Sequence, residues 1–74
     1  MRHTVLDSRW EQLMMLCQRE KEFRSDDRHP KLLRLVVKQI EEVAGELGFS
    51  PRQIERREFR AERNGDHITR VIVE

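Results

Sequence analysis

Apolar residues recur at three- and four-residue steps through the first two thirds of the chain, the spacing that places them on one face of a helix. In the first segment Ser8 precedes an acidic residue by three positions, as in a capping box, which predicts a helix over residues 8–24. The second segment opens at Pro30 and stops before Gly48, which predicts a helix over residues 30–47. The apolar positions are Trp10, Leu13, Met14 and Cys17, then Leu33, Val36, Val37, Ile40, Ala44 and Leu47.

Alternation with period two replaces the helical spacing in the last third of the chain. Residues 57–63 alternate between the two sides of a strand, and Asn64-Gly65 favours a tight turn because both residues accept a positive φ. Residues 67–73 are rich in β-branched side chains. These features predict strands over residues 55–63 and 67–73. Their shared side would carry Phe59 and Ala61 from the first strand and Thr69, Val71 and Val73 from the second.

The short polar connection at residues 25–29 predicts that the two helices fold back as an antiparallel hairpin. With the strands that follow, the sequence predicts a single α+β domain over residues 1–74, in the order α-α-β-β. In this interpretation the Ser50-Pro51 segment is a short helical turn that links the two halves.

A second interpretation of the tail starts from the same segment. Ser50 suits a helix cap and Pro51 suits the first helical position. Residues 43–59 resemble the helix-turn-helix of the AraC-type transcription regulators, through Ala44, Gly48, Ser50, Pro51, Ile54 and Arg56. The resemblance implies a helix that enters the major groove of DNA, with Arg52, Gln53, Arg56 and Arg57 as the residues that contact bases or phosphates.

A winged helix would combine the two interpretations of the tail. A short helix over residues 50–57 would be followed by the hairpin as a wing, and the DNA-binding region would span residues 40–73. The protein would then be a DNA-binding transcriptional regulator. The sequence leaves this alternative open beside the plain β-hairpin.

Charges on the second predicted helix oppose the helix dipole, because basic residues crowd its first half and acidic residues its end. Lys31, Arg34 and Lys38 fall at i, i+3 and i+7 and therefore form one stripe. Two explanations remain open at this stage. The stripe faces acidic residues near the end of the first helix, or it binds an acidic protein partner.

Size and composition point to association. A chain of 74 residues with 36% hydrophobic and 39% charged residues forms a small core, which leaves a monomer marginally stable. A lone Cys17 excludes an internal disulfide, and the histidines His3, His29 and His67 have no metal-ligand spacing. We therefore expect a homodimer. The N-terminal residues lack the apolar segment of a secretion signal, so we expect a cytoplasmic protein.

Catalytic patterns are not found in the sequence: Cys17 lies on an apolar helix face, and no glycine-rich phosphate loop is present. We expect a non-enzymatic accessory or regulatory protein without cofactor, membrane or small-molecule substrate, which acts by protein–protein association. An unpaired strand edge can pair with a second chain. The ribbon, formed by the predicted strands over residues 55–63 and 67–73, is therefore one expected partner-binding surface, and the basic stripe is the other. The expected partner-binding residues are Lys31, Arg34, Lys38, Phe59, Val71 and Val73.

Overall fold

The structure is a computed structural model that describes residues 5–74. The elements follow in the order α1 (Val5–Ser25), α2 (Pro30–Leu47), α3 (Pro51–Arg56), β1 (Ala61–Asn64) and β2 (His67–Val71). α1 and α2 form an antiparallel hairpin, and β1 and β2 form a two-stranded antiparallel sheet. The predicted α+β class is confirmed, with one helix more than the predicted order contains.

The start of α1 and the start of β1 both differ from the prediction. α1 already includes Val5, so Ser8 lies inside the helix and is no cap. The predicted strand over residues 55–63 is wrong in its first part, because α3 occupies residues 51–56 and β1 begins only at Ala61. Hydrogen bonds at the start of α3 stabilise a helix there, although polar and apolar residues alternate as in a strand.

α3 is held by a complete capping box. Ser50 Oγ accepts a hydrogen bond from the backbone N–H of Gln53 at 3.2 Å, and the Gln53 side chain accepts one from the Ser50 N–H at 3.1 Å. Pro51 occupies the first turn, where no N–H is needed. The helix ends at Arg57, whose φ of 57° lies in the left-handed region. Gly48 ends α2 in the same conformation with φ 96°, as its sequence position predicted.

The core lies between the helical hairpin and the tail, by which we mean residues 48–74. Trp10, Leu13 and Leu16 of α1 meet Val36, Ile40, Val43 and Ala44 of α2, and the tail adds Phe49 and Ile68. Phe49 is the junction, because its ring centroid lies 6.4 Å from that of Trp10 and 5.1 Å from that of Phe59. α3, the segment after it and the ribbon therefore form a second layer on one face of the hairpin.

A bulge in the ribbon changes which residues face the core. Glu62 pairs with Arg70 but Arg63 pairs with Ile68, which leaves Thr69 as an extra residue in β2. Ile68 is buried and Val71 packs against the same core, although they lie three positions apart. Thr69 is exposed instead. The predicted shared side of Thr69 and Val71 is therefore wrong, because the bulge shifts the alternation by one residue.

Candidate protein-binding face

Three buried polar side chains fix the tail in place: Asp7 and Glu20 join it to the covered face of the helical hairpin, and Gln53 joins two parts of the tail to each other. Asp7, Glu20 and Gln53 are 4%, 6% and 2% exposed, respectively. Each of them bonds to a group that is distant in sequence, and burial of such groups is tolerated only when they are paired. The tail is thus fastened to α1 by specific contacts as well as by the apolar core.

Asp7 and Gln53 bond to backbone groups of the C-terminal strand segment. Asp7 Oδ1 accepts a hydrogen bond from the Ile68 N–H at 2.7 Å, and its Oδ2 lies 3.1 Å from Nδ1 of His67. Gln53 Nε2 donates to the carbonyl oxygen of Ile72 at 2.8 Å. These backbone groups have side-chain partners already, which argues against strand addition at this edge.

Glu20 and Arg57 link the far half of α1 to the end of α3. Nε and Nη2 of Arg57 donate to the two carboxylate oxygens of Glu20 at 3.0 and 2.8 Å, and Arg24 adds a bond at 3.2 Å. Arg57 also donates to the carbonyl oxygen of Ile54. The hydrogen bonds from Arg57 hold the pKa of Glu20 below its ordinary value. Arg57 is therefore committed to this internal pair.

Nothing in the part of the chain that the structure describes covers the opposite face of the hairpin in this way. A groove of about 500 Å³ runs between α1 and α2, and no residue beyond Gln39 lines it. Three of its apolar side chains are unusually open to solvent: Met15 is 60% exposed, Leu35 52% and Leu32 46%. The apolar lining consists of Met15, Leu16, Phe23, Leu32, Leu35 and Val36. We call this surface the bare face.

A second hollow of about 380 Å³ continues the bare face towards the ribbon. It shares Met15 and Glu11 with the groove and adds Met14 and the edges of Trp10 and Ile68. Exposed apolar side chains in one contiguous area commonly mark a contact with another protein. Methionine is suited to such a contact because its flexible thioether adapts to a partner.

The sequence analysis missed Leu32 and Leu35 because it followed only the central apolar stripe of α2. They lie three positions apart, on the flank of that stripe. The overlooked signal was the width of the apolar face, since α2 carries more apolar positions than its contacts with α1 and the tail can bury. In α1 the same signal was present in Met15, which widens the stripe.

The basic stripe borders the bare face. Each of its residues immediately precedes a groove residue of α2, so the two rows lie side by side, about 100° apart around the helix. The neighbouring pairs are Lys31-Leu32, Arg34-Leu35 and Lys38-Gln39.

Within residues 5–74 the basic stripe makes no ion pair. Two of the acidic residues near the end of α1 have other partners, because Glu20 bonds to Arg57 and Arg24, and Asp26 bonds to Arg28. No ion pair within residues 5–74 therefore supports the explanation in which the stripe faces an acidic neighbour in the same chain. The stripe remains a positively charged row beside an apolar groove.

The predicted ribbon residues have mixed positions. Phe59 and Val71 are half-buried and pack against the core, so they contribute to the fold. Val73 is 51% exposed, beyond the end of β2. The structure therefore does not bring the two predicted surfaces together: the basic stripe lies on α2, and Val73 lies at the C-terminal end of the ribbon.

The residues implied by the helix-turn-helix resemblance are also divided. Arg52 and Arg56 are exposed on α3, whereas Gln53 is buried and Arg57 is paired with Glu20. α3 has only six residues, less than two turns. Two of the four implied side chains are therefore unavailable to bases or phosphates without unfolding of local structure.

Other chemical groups offer little for a reaction. Burial raises the pKa of the Cys17 thiol, and the nearby Glu20 carboxylate acts in the same direction. Residues 5–74 contain no cluster of three or more His, Cys, Asp and Glu side chains placed to hold a metal ion, and His3 lies outside them. None of the helices in this part of the chain has the length and apolar character needed to cross a bilayer.

Comparisons of the chain with family models, with curated proteins and with solved structures find no match.

Proposed function

We propose that the protein is a small, non-catalytic accessory or regulatory domain that acts by protein–protein association, as a homodimer formed through its bare face. The observation that carries this proposal is the exposure of Met15, Leu32 and Leu35 in a groove that the tail leaves uncovered. The side-chain partners of the Ile68 N–H and the Ile72 carbonyl favour the helices over this strand segment as the binding surface.

The energetics favour covering the bare face. Transfer of a half-exposed leucine or methionine into an apolar contact stabilises a complex by about 1 kcal/mol, before the entropy cost of association. Each copy contributes three such side chains, and the hollow beside Met14 extends the area. A core as small as that of a 74-residue chain gains stability from such a contact.

The chemistry of the site supports a binding role without catalysis. The groove lining is mainly apolar, and the Cys17 thiol is held in its neutral form by burial. The single free thiol also supports a cytoplasmic setting, in which cysteines stay reduced.

Light scattering after size-exclusion chromatography tests the proposal. The wild-type chain should have twice the monomer mass of 9.0 kDa, and the double variant Met15→Gln, Leu35→Gln should have the monomer mass. Val73→Gln is the matched control, because Val73 is equally exposed but lies outside the groove. That variant should remain dimeric. A monomeric wild-type chain at all concentrations, or a dimeric double variant, would contradict the proposal.

The alternative of DNA binding retains one supporting observation. The order α2, α3, β1, β2 is that of a winged helix, and Arg52 and Arg56 are exposed. Titration of the chain with duplex DNA at low salt tests this alternative. Binding that weakens steeply with added salt and is lost in Arg52→Gln, Arg56→Gln would support it, whereas no binding at low salt would exclude it.

A further inference from the structure

The outer face of α2 carries opposite charges in its two halves. Lys31, Arg34 and Lys38 lie in the first half, and Glu41, Glu42 and Glu46 lie in the second. All six are exposed. Within residues 5–74 only Glu46 among them has an ion-pair partner, Arg9 at 3.2 Å.

This order of charges is unfavourable within one copy. A helix dipole favours acidic side chains near the N-terminus and basic side chains near the C-terminus, and α2 has the reverse. Lys31, Arg34 and Lys38 have no ion pair within residues 5–74 and lie against the dipole beside an apolar groove, an arrangement that a complementary charge from outside would stabilise.

A second α2 supplies that complement when it runs antiparallel. The basic half of each helix then lies against the acidic half of the other, and a twofold axis makes both contacts at once. A parallel arrangement would instead place Lys31, Arg34 and Lys38 against the same residues of the second copy, which is repulsive.

The position of the apolar side chains agrees with such an axis. The middle of α2 (Pro30–Leu47) lies near Lys38 and Gln39, and Met15 is the middle residue of α1 (Val5–Ser25). Because the helices are antiparallel neighbours, their middles lie side by side. An axis through this point places Met15 at the centre of the contact, with Leu32 and Leu35 of one copy on one side of it and those of the second copy on the other.

We propose that the bare face binds a second copy of this chain with the two α2 helices antiparallel, and that the reversed charges of α2 set this orientation. The inference rests on the proposed function, since it specifies the partner surface of the same face. The contact is self-complementary, so no additional protein is required for it.

Two charge-reversed variants test the orientation. One carries Lys31→Glu, Arg34→Glu and Lys38→Glu, which makes the whole outer face of α2 acidic. The other carries Glu41→Lys and Glu42→Lys, which makes that face mainly basic; Glu46 is kept for its bond with Arg9. Both sets relieve the conflict with the helix dipole, so each monomer should stay folded, as circular dichroism would show.

Each variant alone should dimerise at least about tenfold more weakly than the wild-type chain, because like charges meet across the interface. An equimolar mixture should form a heterodimer with an affinity within about tenfold of the wild-type value. Sedimentation equilibrium at physiological salt measures all three association constants.

A control separates position from net charge. Arg52→Glu, Arg56→Glu and Arg60→Glu together change the net charge as much as the acidic variant does, but none of these residues lines the groove or lies on α2. This control should dimerise like the wild-type chain. Variants that dimerise as tightly as the wild-type chain, or a mixture that forms no heterodimer, would overturn the antiparallel orientation and leave the bare-face dimer standing. A monomeric wild-type chain would overturn both.

Discussion

The two faces of the helical hairpin differ in whether their polar side chains are paired and their apolar side chains are buried. On the covered face, Asp7, Glu20 and Gln53 are buried and each bonds to a group of the tail or its neighbour. On the bare face, apolar side chains stand in solvent and a row of basic residues has no partner within residues 5–74. The same two helices thus have one side on which the buried polar side chains, apart from Trp10 Nε1, are paired and one side that is left open.

The difference separates residues that make the fold from residues that are available for binding. Replacement of a paired side chain on the covered face lowers the stability of the protein, because its hydrogen-bond partner is left unpaired. The bare face tolerates replacement in the monomer and responds only when a partner is bound. Paired substitutions, one on each face, test this distinction.

The largest contrast should come from apolar truncation. Ile40→Ala removes a fully buried side chain and should lower the free energy of unfolding by about 2–5 kcal/mol. Leu35→Ala on the same helix should change it by no more than about 0.5 kcal/mol in dilute, monomeric protein. Urea unfolding monitored by circular dichroism measures both. Equal losses would show that the bare face is already packed in the monomer.

Neutralising a carboxylate should give the next largest contrast. Glu20→Gln leaves Arg57 without its bidentate partner and should cost about 2 kcal/mol, whereas Glu22→Gln, at an exposed position without an ion pair, should cost almost nothing. Thermal unfolding at neutral pH measures the difference. A similar cost for both would mean that the Glu20–Arg57 pair does not fasten the tail.

The Glu20–Arg57 pair also predicts a pH dependence. The hydrogen bonds from Arg57 lower the pKa of Glu20 from its ordinary value of 4.5. A carboxyl whose pKa is lower in the folded state contributes its full stability above that ordinary value and loses it as the pH falls through the lowered pKa. The wild-type chain should therefore lose more stability than Glu20→Gln on acidification from neutral pH. Parallel acid titrations of the two chains would contradict this contribution.

Two of the glutamines, Gln53 and Gln39, give a smaller contrast. Gln53→Glu keeps an acceptor for the Ser50 N–H but loses the donor to the Ile72 carbonyl, so it should cost about 1–2 kcal/mol. Gln39→Glu, on the exposed lining of the groove, should leave stability nearly unchanged. Amide hydrogen exchange should show the loss concentrated in β2. Uniform exchange across the chain would argue that Gln53 does not hold the strand.

The smallest effects on stability should come from two glycine-to-alanine substitutions, one destabilising and the other stabilising. Gly48→Ala forces a side chain into φ 96° and should destabilise by about 1 kcal/mol. Gly45→Ala lies in an exposed helical turn with open space around it and should stabilise the monomer by about 0.5–1 kcal/mol. Urea midpoints resolve both changes. A stabilising Gly48→Ala would contradict the left-handed cap.

The sequence predicted local structure best at positions where the backbone conformation strongly favours one residue type. Gly48 at the end of α2 and Gly65 in the turn between the strands follow from the positive φ that each adopts, whereas Asn64 is the last residue of β1 and has no positive φ. Ser50 was recognised as a cap too, yet the alternating pattern that follows it masked the end of α3 at Arg57.

Features that depend on distant contacts were not predictable from spacing. Nothing in the sequence shows that Glu20 would meet Arg57, or that Asp7 would accept the Ile68 N–H, because these residues lie far apart in the chain. The bulge at Thr69 likewise depends on how the ribbon packs on the helices. The bare face was missed for the same reason, since only the placement of the tail decides which side of the hairpin remains open.

An isotope-filtered NMR experiment on an equal mixture of labelled and unlabelled chains tests the central claim most directly. Nuclear Overhauser effects that arise only between copies should connect the methyl groups of Met15, Leu32 and Leu35 with the second copy. Intermolecular effects confined to Val71 and Val73 would place the contact on the ribbon. Either that result or a complete absence of intermolecular effects at millimolar concentration would contradict association through the bare face.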